Sequence, residues 1–275
     1  MLTREMIIKE LAERGIKAKP IETVKNGVTL KGITLGTGSI CPTIYTEQFE
    51  EYIEEDLEDA VDAIIYQYNK AKESIPVIDV DKLMDWDYVK TRLQLCIQRK
   101  GNEDIVKRDF LDLEEYVRVK VGHDGTFKVK PEHLEKYGVT ENVLFHAAWD
   151  CTAPNIMVED MAQMISEMIG MSVEEVTEMQ GDSAMIVSTT KEKSFGAIAM
   201  KATDKLTEVA DRYGTDLVIL PSSIHEILLI PVREDMNFSE LDAMVQDINE
   251  TQVAPEEILS DHIYKFSHET REITF

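Results

Sequence analysis

Cysteine is scarce in this 275-residue sequence, where Cys41, Cys96 and Cys151 lie far apart and form no CxxC pair. An odd and widely spaced set of thiols argues against a disulfide framework and against a thiolate zinc site. An odd, sparse set of cysteines is typical of proteins in a reducing compartment. We therefore predict a cytoplasmic protein.

Long apolar runs are also missing. Charged residues interrupt the N-terminal segment at Arg4, Glu5, Lys9 and Glu10, so no signal peptide is indicated. No segment approaches the roughly 20 consecutive apolar residues that cross a bilayer. The 43% hydrophobic content is nevertheless too high for a disordered chain. The sequence therefore predicts a folded protein with no membrane partner.

Basic residues are absent from three long stretches, which lie between Gly32 and Asn69, between Tyr137 and Thr190, and between Glu234 and Tyr264. The formal net charge is −24. A surface this negative repels phosphate backbones, so we predict no direct binding of nucleic acid. Three interpretations stay open: a solvated acidic surface, a docking surface for a basic protein, and a mimic of nucleic-acid charge.

The pattern of elements predicts an α+β fold, with antiparallel sheets and helices packed on one face. Asn26-Gly27 between two extended runs indicates a hairpin. Apolar spacing predicts helices over residues 47–72, 82–99 and 158–169. The C-terminal third reads as two ββα units, with strands over 184–189 and 195–200 before a helix over 203–213, then strands over 216–220 and 224–230 before a helix over 238–249.

A short glycine-rich segment, Gly36-Thr37-Gly38-Ser39, invites comparison with a dinucleotide-binding loop. The third required glycine position is Cys41, and Pro42 leads into a strand where a phosphate site needs the start of a helix. The histidines show no metal-ligand spacing. We therefore predict no cofactor and no metal site.

The segment Ser222-Ser223-Ile224-His225-Glu226 holds two hydroxyls, an imidazole and a carboxylate, which are the groups of an acid–base or nucleophilic site. In a strand over 224–230, His225 and Glu226 would point to opposite faces. A catalytic triad would then need a distant carboxylate. The alternative is that Pro221-Ser222-Ser223 forms a turn and that His225 is a hydrogen-bonded residue of the sheet.

Methionines recur at helical spacing in one segment. They are Met157, Met161, Met164, Met168 and Met171. The 4-3-4-3 spacing predicts a single helical stripe. Methionine is flexible and polarisable, so such a stripe can form an adaptable docking groove for a partner or can belong to the core.

Three segments together resemble a family of domains of unknown function from gut Gram-positive anaerobes. They are the runs over residues 216–226, 41–45 and 253–261, and Leu-Pro-Ser-Ser-Ile-His-Glu at 220–226 is the most specific. The resemblance covers nearly the whole chain and implies one family-wide unit, 1–275, within which we expect a mixed helix and hairpin lobe, 1–155, and a ββα lobe, 156–275. It implies no activity and no catalytic residue.

Three functional hypotheses follow. The first is a non-catalytic acidic interaction or accessory protein. The second is a hydrolase that uses Ser222 or Ser223 with His225, and it requires a carboxylate on one ring nitrogen of His225 and a hydroxyl on the other. The third is a nucleic-acid charge mimic that binds a basic protein.

Overall fold

The computed structural model describes residues 2–36, 41–49, 56–74, 79–122, 125–180 and 184–275. The chain divides into two compact units, Met1–Val80 with Lys120–Thr126, and Asp81–Val119 with Phe127–Phe275. Helices and antiparallel sheets occur together, which confirms the predicted α+β class. The predicted family-wide unit and its lobes, 1–155 and 156–275, stay a prediction.

The first unit combines a three-stranded antiparallel sheet with two helices. In chain order its elements are α1 (Arg4–Glu13), β1 (Ala18–Lys25), β2 (Val28–Leu35), β3 (Thr43–Tyr45), a 3₁₀ turn (Glu47–Phe49) and α2 (Leu57–Ser74), and the sheet order is β1-β2-β3. Ile7 and Leu11 of α1, Ile33 of β2 and Ile64 of α2 meet in its core.

The predicted hairpin at Asn26-Gly27 is confirmed. Lys25 pairs with Val28, which leaves a two-residue loop. Asn26 has a φ of 48° and Gly27 a φ of 79°, the two positive values that a type I′ turn needs.

The helix predicted over 47–72 begins later than expected. After Thr46 the chain forms a 3₁₀ turn, and α2 starts only at Leu57. The Glu47 carboxylate accepts a hydrogen bond from the N–H of Lys31, which ties this turn to β2. Residues 50–55 of the predicted helix lie outside the described residues, as do residues 37–40 of the glycine-rich segment.

The second unit contains two antiparallel sheets, apart from a few residues of one sheet within the range 120–126, which belong to the first unit. The strands of one are β4 (Leu93–Arg99), β5 (Lys107–Phe110), β6 (Leu113–Val121) and β7 (Gly125–Lys128), in the order β4-β6-β5 with β7 also paired to β6. The strands of the other are β8 (Ile156–Asp160), β9 (Ile186–Thr190), β10 (Leu217–Ser223), β11 (Glu226–Pro231), β12 (Tyr264–Phe266) and β13 (Ile273–Thr274), in the order β13-β12-β10-β11-β9-β8.

Seven α-helices accompany these sheets within the described part of the chain. They are α3 (Trp86–Val89), α4 (Pro131–Tyr137), α5 (Glu141–Thr152), α6 (Met161–Ile169), α7 (Val173–Gln180), α8 (Thr203–Tyr213) and α9 (Phe238–Thr251). Helix α5 packs on the edge strand β4, where Thr152 Oγ1 accepts a hydrogen bond from the N–H of Leu95 at 2.9 Å. This contact satisfies a main-chain donor that an edge strand leaves unpaired.

The helix predicted over 82–99 is wrong in its second half, which forms β4. Leu83, Trp86 and Val89 do lie in short helical turns, but the chain is extended from Leu93 onward. The polar residues Gln94 and Gln98 of β4 are only 4% and 2% exposed. Their side-chain amides are hydrogen-bonded to residues elsewhere in the sequence, Ser194 and Glu114. A buried amide costs little stability once it is hydrogen-bonded.

The helix predicted over 158–169 also begins too early. Residues 156–160 form β8, which pairs with β9 along its whole length. The Asp160 carboxylate then accepts a hydrogen bond from the N–H of Ala162 at 2.9 Å and caps α6. An N-cap residue has extended backbone angles, so the strand ends and the helix begins at this side chain.

The repeated ββα pattern of the C-terminal third is not confirmed. One such unit is present, because β10 and β11 pair and α9 packs on them through Val245. Where the other unit needs a second strand, Gly196–Lys201 forms a 3₁₀ helix. Its residues 196–200 are all buried, and periodicity cannot distinguish a buried helix from a buried strand in so short an apolar run.

A buried ionic network crosses the four-stranded sheet. Gln98 Nε2 donates to Glu114 Oε1 at 2.7 Å, and Lys128 Nζ donates to Gln98 Oε1 at 2.9 Å. Lys107 pairs with Glu114 at 3.1 Å, and Lys128 pairs with Glu103 at 2.6 Å. Strands β5, β6 and β7 contribute the charged residues Lys107, Glu114 and Lys128, and β4 contributes the polar residue Gln98.

We predict that Glu114→Ala lowers the free energy of unfolding by about 3–5 kcal/mol, because it leaves the Lys107 ammonium partly buried without its carboxylate. Chemical denaturation measures the effect. The control Glu132→Ala removes an exposed carboxylate from the first turn of α4 and should cost about 0.5 kcal/mol. Equal losses in the two variants would contradict the structural role of the network.

Candidate functional site

The Ser222–Glu226 segment forms a β-hairpin rather than a turn followed by a strand. Strand β10 continues through Pro221, Ser222 and Ser223, so the predicted Pro-Ser-Ser turn is wrong. Ser223 pairs directly with Glu226, which leaves Ile224 and His225 as the two-residue loop. A register shift between Leu220 and Ser223 lets β10 bulge before the loop.

Both ring nitrogens of His225 are hydrogen-bonded. The N–H of Phe195 donates to Nδ1 at 3.1 Å. Because Nδ1 accepts this bond, the neutral ring carries its proton on Nε2, which faces Glu257 Oε1 at 3.3 Å. The predicted need for a distant carboxylate is thus met by Glu257, which sequence reasoning did not single out.

The main chain of His225 is held as well. Its carbonyl oxygen accepts hydrogen bonds from the N–H of Gly196 at 2.9 Å and from Thr189 Oγ1 at 2.7 Å. A Cβ atom on Gly196 would lie 2.6 Å from this carbonyl oxygen and 2.6 Å from the nitrogen of Thr190. Only glycine fits here. We call the contacts of Phe195 and Gly196 with His225 the His225 clamp.

The two serine hydroxyls are hydrogen-bonded to groups other than the imidazole. Ser223 Oγ accepts the N–H of His225 at 3.0 Å, and Ser222 Oγ donates to Glu226 Oε1 at 3.4 Å. A nucleophilic site needs a hydroxyl on the second ring nitrogen, and here that place is taken by the Phe195 peptide N–H. The arrangement can orient the ring and join two segments, but it offers no base to a serine.

The His225 clamp extends to the other sheet of this unit. Arg118 of β6 stacks on the Phe195 ring at 3.7 Å, and the edge of that ring meets His225 with centroids 5.1 Å apart. Gln94 Nε2 of β4 donates to the Ser194 carbonyl oxygen at 3.2 Å. Arg118 and Gln94 therefore contact the loop at Ser194 and Phe195, and the same loop binds His225.

A second histidine cluster was missed by sequence reasoning. His262 Nε2 lies 2.9 Å from Asp112 Oδ2, and His262 Nδ1 lies 2.9 Å from the Ile263 carbonyl oxygen. Tyr264 donates its hydroxyl proton to Asp112 Oδ1 at 2.8 Å. Asp112 is 150 positions from His262, so no spacing rule could have found the pair.

Two acceptors around one imidazole favour its doubly protonated form. Partial burial acts to lower the pKa of His262, but the hydrogen bonds to the Ile263 carbonyl and to Asp112 outweigh it, so the pKa lies above its usual value. Burial, together with the bond to Asp112, likewise holds the pKa of Tyr264 well above its usual value.

The five methionines do not form the predicted single helical stripe. Met157 lies in β8, Met161, Met164 and Met168 lie in α6, and Met171 follows Gly170, whose φ of 72° ends that helix. Around them α6 and α7 form a helical hairpin. We define the methionine surface as its described apolar side chains that are not buried: Met161, Met164, Ile165, Ile169, Met171 and Val173.

The described residues contain no group of three or more His, Cys, Asp or Glu side chains that could hold a metal ion. Within the same described ranges, no helix is long and apolar enough to cross a membrane.

Comparison with known families assigns the chain to a family. The model of a family of unknown function, DUF5688, matches residues 3–268. The chain belongs to this family. No curated protein matches it significantly, and no solved structure does. The resemblance to a family of domains of unknown function is thus confirmed, and no function is transferred with it.

We predict that Gly196→Ala lowers the free energy of unfolding by roughly 3 kcal/mol, because the added methyl group meets two main-chain atoms that cannot move aside. Thermal and chemical denaturation measure the change. Gly101→Ala is the matched control, since nothing lies within 4 Å of its added Cβ. A stable Gly196→Ala variant would show that the His225 clamp is not tightly packed.

We also predict a pH dependence that originates at His262. A raised pKa in the folded state means that this residue stabilises the fold fully below its unfolded pKa, and that the contribution is lost as pH rises through the folded pKa. Asp112→Asn should lower the pKa of His262 and flatten the decline in stability above neutral pH. Histidine NMR titration and denaturation at several pH values measure both effects, and an unchanged His262 pKa in the variant would contradict the assignment.

Proposed function

We propose that this protein is a non-catalytic acidic interaction protein that docks a basic partner protein on the methionine surface. The observation that carries the proposal is the exposure of apolar side chains on α6 and α7: Ile169 is 55% exposed and Val173 is 41% exposed. Among the described side chains of these two helices, Ala162 and Val176 alone are buried. A helical hairpin that served only the core would bury its apolar stripe.

The charge around this surface favours a basic partner. No Lys or Arg occurs between Tyr137 and Thr190. Residues Glu174, Glu175 and Glu178 of α7 are exposed and lie beside the apolar side chains of the same helix. Complementary charge steers association and selects partners of opposite sign, and apolar contacts then supply most of the affinity.

The geometry around His225 supports a structural rather than a catalytic role. A hydrolase built on Ser222 or Ser223 would have to break the Phe195 bond to Nδ1 and redirect a hydroxyl that is already hydrogen-bonded. The proposal places the protein in the bacterial cytoplasm, in keeping with its few, widely spaced cysteines and its family resemblance.

A charge mimic of nucleic acid is the other form that an acidic interaction protein can take. It would bind through net charge spread over the surface, so its binding would depend on total charge and not on one pair of carboxylates. The same experiment separates the two forms.

We predict that short synthetic peptides of constant apolar content bind more tightly as their net charge becomes more positive, and that salt weakens this binding. Glu174→Gln with Glu178→Gln should weaken the most basic peptide about fivefold, because two exposed ionic contacts of about 0.5 kcal/mol each are lost. Fluorescence anisotropy at low and moderate ionic strength measures the affinities.

The matched control is Glu58→Gln with Asp59→Asn, which removes two exposed carboxylates from the first turn of α2. An equal loss in both double variants would favour the charge mimic. Absence of any charge-dependent binding would overturn the proposed function.

A further inference from the structure

We infer that the partner presents a basic amphipathic α-helix to the methionine surface, an inference that rests on the proposed function and specifies the partner's structure. The surface offers what a docked helix needs, namely a short apolar platform made by two adjoining helices. Helix α6 has 9 residues and α7 has 8, so each is about 12–14 Å long at 1.5 Å per residue. A partner helix that contacts the platform over about two to three turns matches this length.

The apolar residues of α6 lie on one side of the helix. Met164 and Ile165 lie three and four positions after Met161, and all three are partly exposed. Side chains three and four positions apart lie on the same helical face. A partner helix with apolar residues at the same intervals can set its own stripe against this one.

The methionines make the platform adaptable. Their unbranched side chains reach different rotamers at low cost, so one surface can accept apolar side chains of different shape. We therefore expect the surface to select the periodicity and charge of a helix and to tolerate changes in its exact sequence.

Hydrogen bonds within the chain hold the turn between α6 and α7. The N–H of Gly170 donates to the Ser166 carbonyl oxygen at 2.9 Å, and Ser166 Oγ donates to the Met171 carbonyl oxygen at 2.7 Å. Ser172 and Glu175 form a reciprocal pair at the start of α7, with the N–H of Ser172 2.9 Å from Glu175 Oε2. A preformed platform binds without a large ordering cost.

The nearby strand β8 provides the competing mode of docking. It lies at the end of the six-stranded sheet, where a partner strand could add to its outer edge. That edge is only 5 residues long, and it ends at Asp160, whose side chain caps α6. The methionine surface lies on the helices rather than on this edge, so the apolar platform favours a helix.

Two peptides that differ only in the order of their residues test the inference. Both have about 18 residues and contain only Leu and Lys; one places Leu at helical intervals, and the other alternates Leu and Lys as in a strand. We expect the helical peptide to bind at least tenfold more tightly and to gain helical circular dichroism on binding. The methyl resonances of Met161 and Met164 should shift during the titration.

Ile169→Ser with Val173→Ser should weaken the helical peptide about tenfold, because two exposed apolar contacts are removed. Val143→Ser is the matched control: Val143 is 46% exposed on α5, outside the methionine surface, and its replacement should leave the affinity unchanged. All three replacements are at exposed positions, so the fold should tolerate them.

Three outcomes would each overturn the inference: the alternating peptide binds more tightly than the helical one, the helical peptide gains no helix on binding, or the Ile169→Ser and Val173→Ser double variant binds the helical peptide as tightly as the unmodified protein does. In the first two cases the proposed function survives if basic peptides still bind in a salt-dependent way that requires Glu174 and Glu178. In the third case the proposed docking on the methionine surface fails as well. If no basic peptide binds at low ionic strength, the proposed function and the inference fall together.

Discussion

The His225 clamp is the constraint on which the second unit depends. Two consecutive peptide N–H groups, from Phe195 and Gly196, bind the ring and the carbonyl oxygen of one histidine. The contact is possible because residue 196 has no Cβ. It joins the loop after β9 to the β10–β11 hairpin, and Arg118 extends it to β6 by stacking on Phe195. Each partner in this chain of contacts comes from a different part of the sequence.

Other polar contacts in the same unit also join residues that lie apart in the sequence. Asp112 joins His262 and Tyr264 across about 150 positions, and Glu114 holds the side chain of Gln98 within the sheet. Buried polar groups are costly unless their partners are in place, so such contacts favour one arrangement of strands over its alternatives. The His262 contact also makes that preference sensitive to pH, since a deprotonated ring satisfies only one of its two acceptors.

These contacts bear directly on function. An imidazole with a carboxylate on one side and serines nearby has the composition of a catalytic site, but its second nitrogen is committed to a peptide N–H. The docking site that we propose is instead the methionine surface, which lies beside exposed carboxylates.

Local patterns in the sequence were enough for the α+β class, for the Asn26-Gly27 hairpin and for helices such as α8 that end at a left-handed glycine, because short-range sterics and capping determine these features. The strand β4, the 3₁₀ helix after Phe195 and the true turn at His225 were decided by tertiary structure. In each of them the chain contacts residues that lie far away in the sequence, and a single sequence does not show which distant residues meet. The residues Ser222 to Glu226 could be singled out from sequence, whereas Glu257 and the Phe195 N–H, which determine what His225 can do, became visible only when the chain was folded.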